Sequence, residues 1–335
     1  MRKKLAPLVS VALLFAIFVG AARSQTPHPG IVLFKQGNYE AAVATLDRAS
    51  KEKEFKTNAE IFNYLGLSQV KNDDTKKARK SLEKAVSLAP TNLDYRVNLA
   101  FAYLLNRQLD KAQSATETVL RLDPKHVGAH YLHGIANIWG GKIDEAETDA
   151  DRIIGLDPLY CDAYILKSDV QIARLGAKTA KGAAVAQQIG YLKSAVEILE
   201  RGISVCAKGG NVQPIESKYE STKAFHAYFA NERSPVTPGD AATPEPGVLP
   251  LKILSKPKAG YTDSARTNGK QGTIVLAVLF GANGRIEAAL VLKRLGYGLD
   301  EQAMSAARRI KFEPKTVNGK PVPVVRMVEY SFAIY

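Results

Sequence analysis

The chain has 335 residues, which at roughly 150 per domain suggests two domains plus connecting segments. Its 46% apolar and 24% charged residues are the balance of a folded chain, and two cysteines exclude a disulfide scaffold or a four-thiolate zinc site. The net charge of +13 is local: residues 251–335 hold 14 basic against 6 acidic residues, residues 1–24 hold 4 basic and none acidic, and the stretch between is nearly balanced. No base-reading motif accompanies this charge, so nucleic acid is not expected as a partner.

Arg2, Lys3 and Lys4 precede an apolar run over residues 8–19 and the small residues Gly20, Ala21 and Ala22. This is the order of a secretory signal, with cleavage after Ser24 leaving Gln25 first. The rival is an uncleaved anchor: residues 5–22 are at the short end for spanning a bilayer and contain Pro7. No other stretch is apolar enough to span, which excludes a polytopic membrane protein. Either reading exports the rest of the chain to the periplasm, free or anchored at the inner membrane.

Self-similarity follows at a period of 34, with starts at Ala59, Leu93, Val127 and Cys161. The seventh and eighth positions carry Leu65-Gly66, Leu99-Ala100 and His133-Gly134; the twentieth carries Ala78, Ala112 and Ala146; the thirty-second carries Pro90, Pro124 and Pro158. Small residues at eight and twenty let two antiparallel helices approach, and the proline closes the second. These residues resemble the tetratricopeptide (TPR) repeat. An earlier half repeat is read at Gly37-Asn38-Tyr39, Ala42, Leu46 and Ala49. The repeat from Cys161 is lengthened by residues 177–190, and residues 212–232 read as a capping helix over the solenoid's last apolar face.

The resemblance implies a concave peptide groove, here lined by Phe101, Leu104, Tyr131, Ile135, Ile138 and Trp139; packing between helices is the alternative for the same apolar stripe. His126, His130 and His133 share one helix face at metal-ligand spacing, but no carboxylate is set among them, and structural histidines are the preferred reading. No cofactor is expected. Cys161 and Cys206 fall at the same end of one helical hairpin, where they either form a disulfide or stay as two buried thiols.

Residues 233–250 form a Pro-rich linker, with five prolines among 234–250, whose stretched length is about 55 Å. Beyond it the hydrophobic period becomes two. A strand over 273–280, a tight turn at Asn283-Gly284, a return strand over 285–292, a helix over 299–310, a turn at Asn318-Gly319 and a long strand over 324–335 give a small α+β unit of order β-β-α-β.

Lys256-Pro257 with Tyr261, Ala265-Arg266, Gly272-Thr273-Ile274-Val275, Gly284-Arg285-Ile286, Gly298-Leu299-Asp300, Phe312-Glu313-Pro314 and Gly319-Lys320-Pro321-Val322 stand in one order over nearly all of 251–335. That unit resembles the C-terminal domain of TonB, the energy transducer of Gram-negative outer-membrane uptake. The departures are Thr262, where the family has proline, and Ile310, where an aromatic residue is common. The resemblance implies that the final strand is a sheet edge to which an extended receptor segment, the TonB box, adds by strand pairing. The residues so marked are Val324, Val325, Arg326, Met327, Val328, Glu329, Tyr330 and Phe332; an edge covered by the linker or by a partner domain is the alternative.

The expected whole is thus an all-α TPR solenoid over 29–232 followed by a small TonB-like domain over 251–335. The function expected is that of a non-enzymatic adaptor whose partner is an outer-membrane TonB-dependent receptor or another envelope protein. An anchored TonB-type transducer is the alternative, although the histidine that couples the family's anchor to its motor is missing from residues 5–22. A second alternative is binding of an anionic envelope surface by the basic C-terminal domain. No nucleophile–base pair, phosphate loop or carboxylate constellation points to an enzyme.

Overall fold

The computed structural model describes residues 27–179, 185–208, 212–232 and 246–333. The signal or anchor segment and most of the linker lie outside them. Among the described residues no helix is long and apolar enough to cross a membrane.

Five helical hairpins stack in chain order: α1 (Pro29–Lys35) with α2 (Tyr39–Ala49), α3 (Ala59–Lys71) with α4 (Thr75–Leu88), α5 (Leu93–Leu105) with α6 (Leu109–Leu122), α7 (Val127–Gly140) with α8 (Ile143–Leu156), and α9 (Asp162–Thr179) with α10 (Val185–Cys206). A last helix, α11, spans Gln213–Glu232. Side-chain caps start many of these helices: Asn38, Asn58, Asp74 and Asn92 each accept from a backbone N–H of the first turn. The small repeat positions act through distance. A Cβ at Gly66 would lie 2.5 Å from Leu82 Cγ, and Ala78, Ala112 and Ala146 are fully buried. The earlier half repeat has a first helix as well, and the lengthening after Cys161 extends both α9 and α10.

The C-terminal unit contains β1 (Val248–Leu249), β2 (Lys252–Ser255), α12 (Asp263–Thr267), β3 (Gly272–Phe280), β4 (Ile286–Lys293), α13 (Leu299–Ala307), β5 (Lys311–Glu313), β6 (Thr316–Val317), β7 (Lys320–Pro321) and β8 (Val324–Phe332). The main sheet is antiparallel with order β4-β3-β8, and the short strands form two small side sheets, β1-β6-β7 and β2-β5. Both Asn-Gly turns are present, with Gly284 at φ 75° and Asn318-Gly319 at 50° and 75°. The final strand ends at Phe332 and the last helix at Ala307, each shorter than its sequence span. Residues 248–249, assigned to the linker from sequence, instead pair with Val317 and Thr316.

Alternation along the strands gives the main sheet two apolar faces. One holds Ile274, Leu276, Val278, Phe280, Val328 and Tyr330 against α13. The other holds Ala277, Leu279, Ala288, Leu290 and Val325 against Ile172, Leu175, Leu192, Phe225 and Phe229 of α9, α10 and α11. The sequence places α11 as the cap of an independent solenoid; in the structure α11 is itself covered, and the sheet closes the stack. Helix and sheet meet closely, since a Cβ at Gly176 would lie 3.1 Å from the Leu292 carbonyl oxygen. The contact continues along the turns of the repeats, where Thr75 Oγ1 lies 3.3 Å from Ser264 Oγ and accepts from Asn268 Nδ2 at 3.2 Å.

Candidate peptide-binding edge and the solenoid groove

The main sheet has two edges, and they differ. Strand β4 runs beside α9 and α11, so one edge lies within the molecule. Strand β8 pairs with β3 along its whole length, from Gly272–Phe332 to Phe280–Val324, and among the described residues no strand pairs with its other side.

Side chains at Val324, Val325, Val328, Tyr330 and Phe332 are buried, so these side chains hold the strand in place and are not open to a ligand. What the strand offers outward is main chain. The Glu329 carbonyl accepts a hydrogen bond from Lys256 Nζ at 3.1 Å, which places the Glu329 peptide groups on the open side. Because direction alternates along an antiparallel strand, the open groups belong to Val325, Met327, Glu329 and Ser331. The same lysine lies over the Tyr330 ring, 5.4 Å from its centroid.

Beside this edge runs a groove of about 560 Å³ lined by Leu249, Leu251, Ile253, Glu313, Arg326 and Met327, among others. Leu249, Ile253 and Leu254 are large apolar side chains left 66%, 44% and 55% exposed. Sequence reading missed all three because they follow the prolines of the linker. Their signal was an apolar pair, Ile253-Leu254, just ahead of Lys256-Pro257.

The residues marked as a TPR groove do not form one open surface. Leu104 is 2% exposed and belongs to the core between α5, α6 and α7, because its position faces the next hairpin; it is not a groove residue. Tyr131 packs edge-on against Tyr160 with centroids 5.6 Å apart, and Ile135 is shared between two helical clusters. Phe101 is exposed. Ile138 and Trp139 line a cleft whose other wall is Val291, Leu292, Lys293 and Arg294 of the C-terminal unit, so this part faces the chain's own sheet.

His126, His130 and His133 are placed by hydrogen bonding. His126 Nδ1 accepts from Ala129 N and caps α7. His130 Nδ1 and His133 Nδ1 meet the two oxygens of one carboxylate, Asp149 on α8, at 2.9 and 2.8 Å. A carboxylate is therefore set among them, contributed by the neighbouring helix, which sequence spacing could not show. Burial opposes charge on His130, but the hydrogen bond to Asp149, the Pro124 carbonyl and the Asp149 charge outweigh it and raise its pKa above 6.5. Burial likewise opposes charge on Asp149, and the two histidines outweigh it and lower its pKa below 3.8. Among the described residues no group of three or more His, Cys, Asp or Glu side chains is arranged to hold a metal ion. Cys161 and Cys206 are bonded, with Cα atoms 5.9 Å apart.

Family models match in two blocks. "Tetratricopeptide repeat" models match residues 30–93, 69–120 and 97–160, and the "Gram-negative bacterial TonB protein C-terminal" model matches residues 257–334. Among solved structures, a thermophilic TPR protein of Thermus thermophilus is 20% identical, covering 58% of this chain and 95% of its own, with a TM-score of 0.46. MamA is 21% identical over 52% of this chain and 97% of its own, with a TM-score of 0.43. YrrB, titled a TPR protein with an unusual peptide-binding site, is 19% identical over 52% and 82%, with a TM-score of 0.40. No curated protein matches it.

Proposed function

We propose that this chain, a tetratricopeptide-repeat protein with a C-terminal TonB-like domain, is an exported adaptor that captures an extended segment of an outer-membrane receptor by strand addition to β8. The observation that carries the reading is the asymmetry of the main sheet: β4 is sheltered by the solenoid, while β8 keeps an open edge beside a groove walled by exposed apolar residues. An unprotected edge is a hazard in a folded protein. Here Lys256 reaches across it, and a ligand strand can displace that side chain.

Main-chain pairing supplies affinity in such a complex, and alternate side chains reach the wall of Leu249 and Ile253 for selectivity. The solenoid's part in this reading is to hold the sheet from behind, leaving its N-terminal hairpins for a second protein.

The test isolates one backbone donor. Affinity of the chain for a receptor plug-domain peptide is measured by calorimetry for the parent, Glu329→Ala and Glu329→Pro. The alanine variant keeps the open N–H and should bind within a few-fold of the parent. The proline variant removes that donor from an edge position that tolerates proline, and should bind at least about tenfold more weakly. Equal affinities for all three variants would exclude β8 as the docking strand.

A further inference from the structure

The cleft between Trp139 and β4 has a volume of about 370 Å³, and three cations line it, Arg107, Lys293 and Arg294, against one carboxylate, Asp169. Asp169 is already matched twice, by Lys218 Nζ at 2.6 Å and Arg294 Nη2 at 3.3 Å. The other acid close by, Asp300, accepts from the Leu295 and Gly296 amides and lies 3.9 Å from Arg294. Lys293 is exposed in the cleft.

Arg107 is placed here at a cost. It sits in the turn between the two helices of its repeat with φ 55°, where the neighbouring repeats carry Gly37, Asp73 and Gly141, also at positive φ. A long side chain in the left-handed region is uncommon and points to a compensating role. Its guanidinium lies over Trp139, 4.5 Å from the ring centroid, and its Nη1 is buried with no hydrogen-bond acceptor among the described residues. Burial lowers its pKa, Asp300 opposes this, and Arg294 adds to it; Lys270 is lowered by burial and by Arg107 in turn. The cations thus face one another across a half-dry space with too little counter-charge.

We infer that this cleft is an oxyanion site, taking a carboxylate or phosphate group between Arg107, Lys293 and Arg294 against the apolar wall of Trp139 and Ile138. The site spans the solenoid and the C-terminal domain, so an anion seated there holds the two together. It is distinct from the β8 edge and stands or falls independently of it.

Trp139 is the sole tryptophan of the chain and therefore reports the site directly. The chain is titrated with sodium phosphate and, separately, with succinate at ionic strength held constant by sodium chloride, and Trp139 emission is followed. A saturable change with either oxyanion is expected, and which of them saturates identifies the group preferred. Lys293→Ala removes an exposed side chain without touching the core and should weaken binding at least about tenfold, the loss of one charged contact. Arg107→Gly places at this turn the residue type of the Gly37 and Gly141 turns, which suits the positive φ, so the chain should still fold, and the saturable response should vanish. Lys320→Ala, a basic residue elsewhere on the surface, should titrate like the parent. A linear response, or one unchanged by Lys293→Ala, would mean that general basic charge is being screened and would overturn the site.

Discussion

At the scale of single residues, the edge is governed by Lys256 and Glu329. Lysine on an open strand edge is a common device against unwanted pairing. Its Nζ engages the Glu329 carbonyl, one of the groups an added strand would need. Lys256→Ala should therefore raise affinity for an extended peptide a few-fold and increase self-association, read by calorimetry and sedimentation. Proline at the neighbouring Val328 would be a poor probe: its side chain is 4% exposed in the core and its amide points toward β3. The histidines make a second residue-scale expectation. His130 has a raised pKa, so its contribution to stability is complete below about 6.5 and fades as pH rises through the folded value. Asp149 has a lowered pKa, so its contribution is present above about 3.8 and fades as pH falls through the folded value. Asp149→Asn should cost on the order of 1–3 kcal/mol near pH 6 and less at pH 9. Melting curves at the two pH values check this, and an equal loss at both would rule out the charged pair.

At the scale of elements, the packing of the sheet on α9, α10 and α11 changes what the solenoid needs. Repeat arrays require a cap with a polar outer face. Helix α11 carries Phe225 and Phe229, 1% and 0% exposed, and the sheet supplies the cover. Phe229→Ala should cost about 3–5 kcal/mol, the range for removing a fully buried aromatic side chain. A fragment ending at residue 232 should melt well below the full chain and self-associate, because Ile172, Leu175 and Phe229 would meet water. Unchanged melting of that fragment by circular dichroism would contradict the shared core. The Cys161–Cys206 bond closes a separation of 45 residues within the hairpin that the sheet packs on. Its removal should cost about 2–4 kcal/mol. Most of these elements were legible beforehand. The repeats showed through Gly66, Ala78 and Pro90 and their successors at one period, because close helix packing demands small residues at fixed places. The strands showed through period two and two Asn-Gly turns. What could not be read was which apolar face met which. Phe225 and Phe229 signal burial, but a sequence does not state the partner.

At the scale of the whole molecule, two recognisable modules are joined by more than a linker. Their interface runs from Thr75 and Ser264 at one turn through Arg107 and Trp139 to the core of Phe229 and Leu290. The groove illustrates the limit of carrying positions over from a family. Phe101 is exposed, while Ile138 and Trp139 face the chain's own β4, because the C-terminal sheet is placed there by contacts far apart in sequence. The edge illustrates the converse: β8 was legible as a strand from local pattern and as an edge from the family resemblance, yet its apolar wall at Leu249 and Ile253 lay hidden after the prolines. The consequence of this assembly is directional. With β4 packed against the solenoid, β8 is the edge of the main sheet left without a pairing strand among the described residues. Amide exchange along Val324–Phe332 in the full chain, with and without a receptor plug-domain peptide, tests that most directly. We expect the peptide to slow exchange at Val325, Met327, Glu329 and Ser331, whose N–H groups face outward, and to leave Val328 and Tyr330 as protected as before. A peptide that binds while exchange at those four amides stays unchanged would contradict capture at β8.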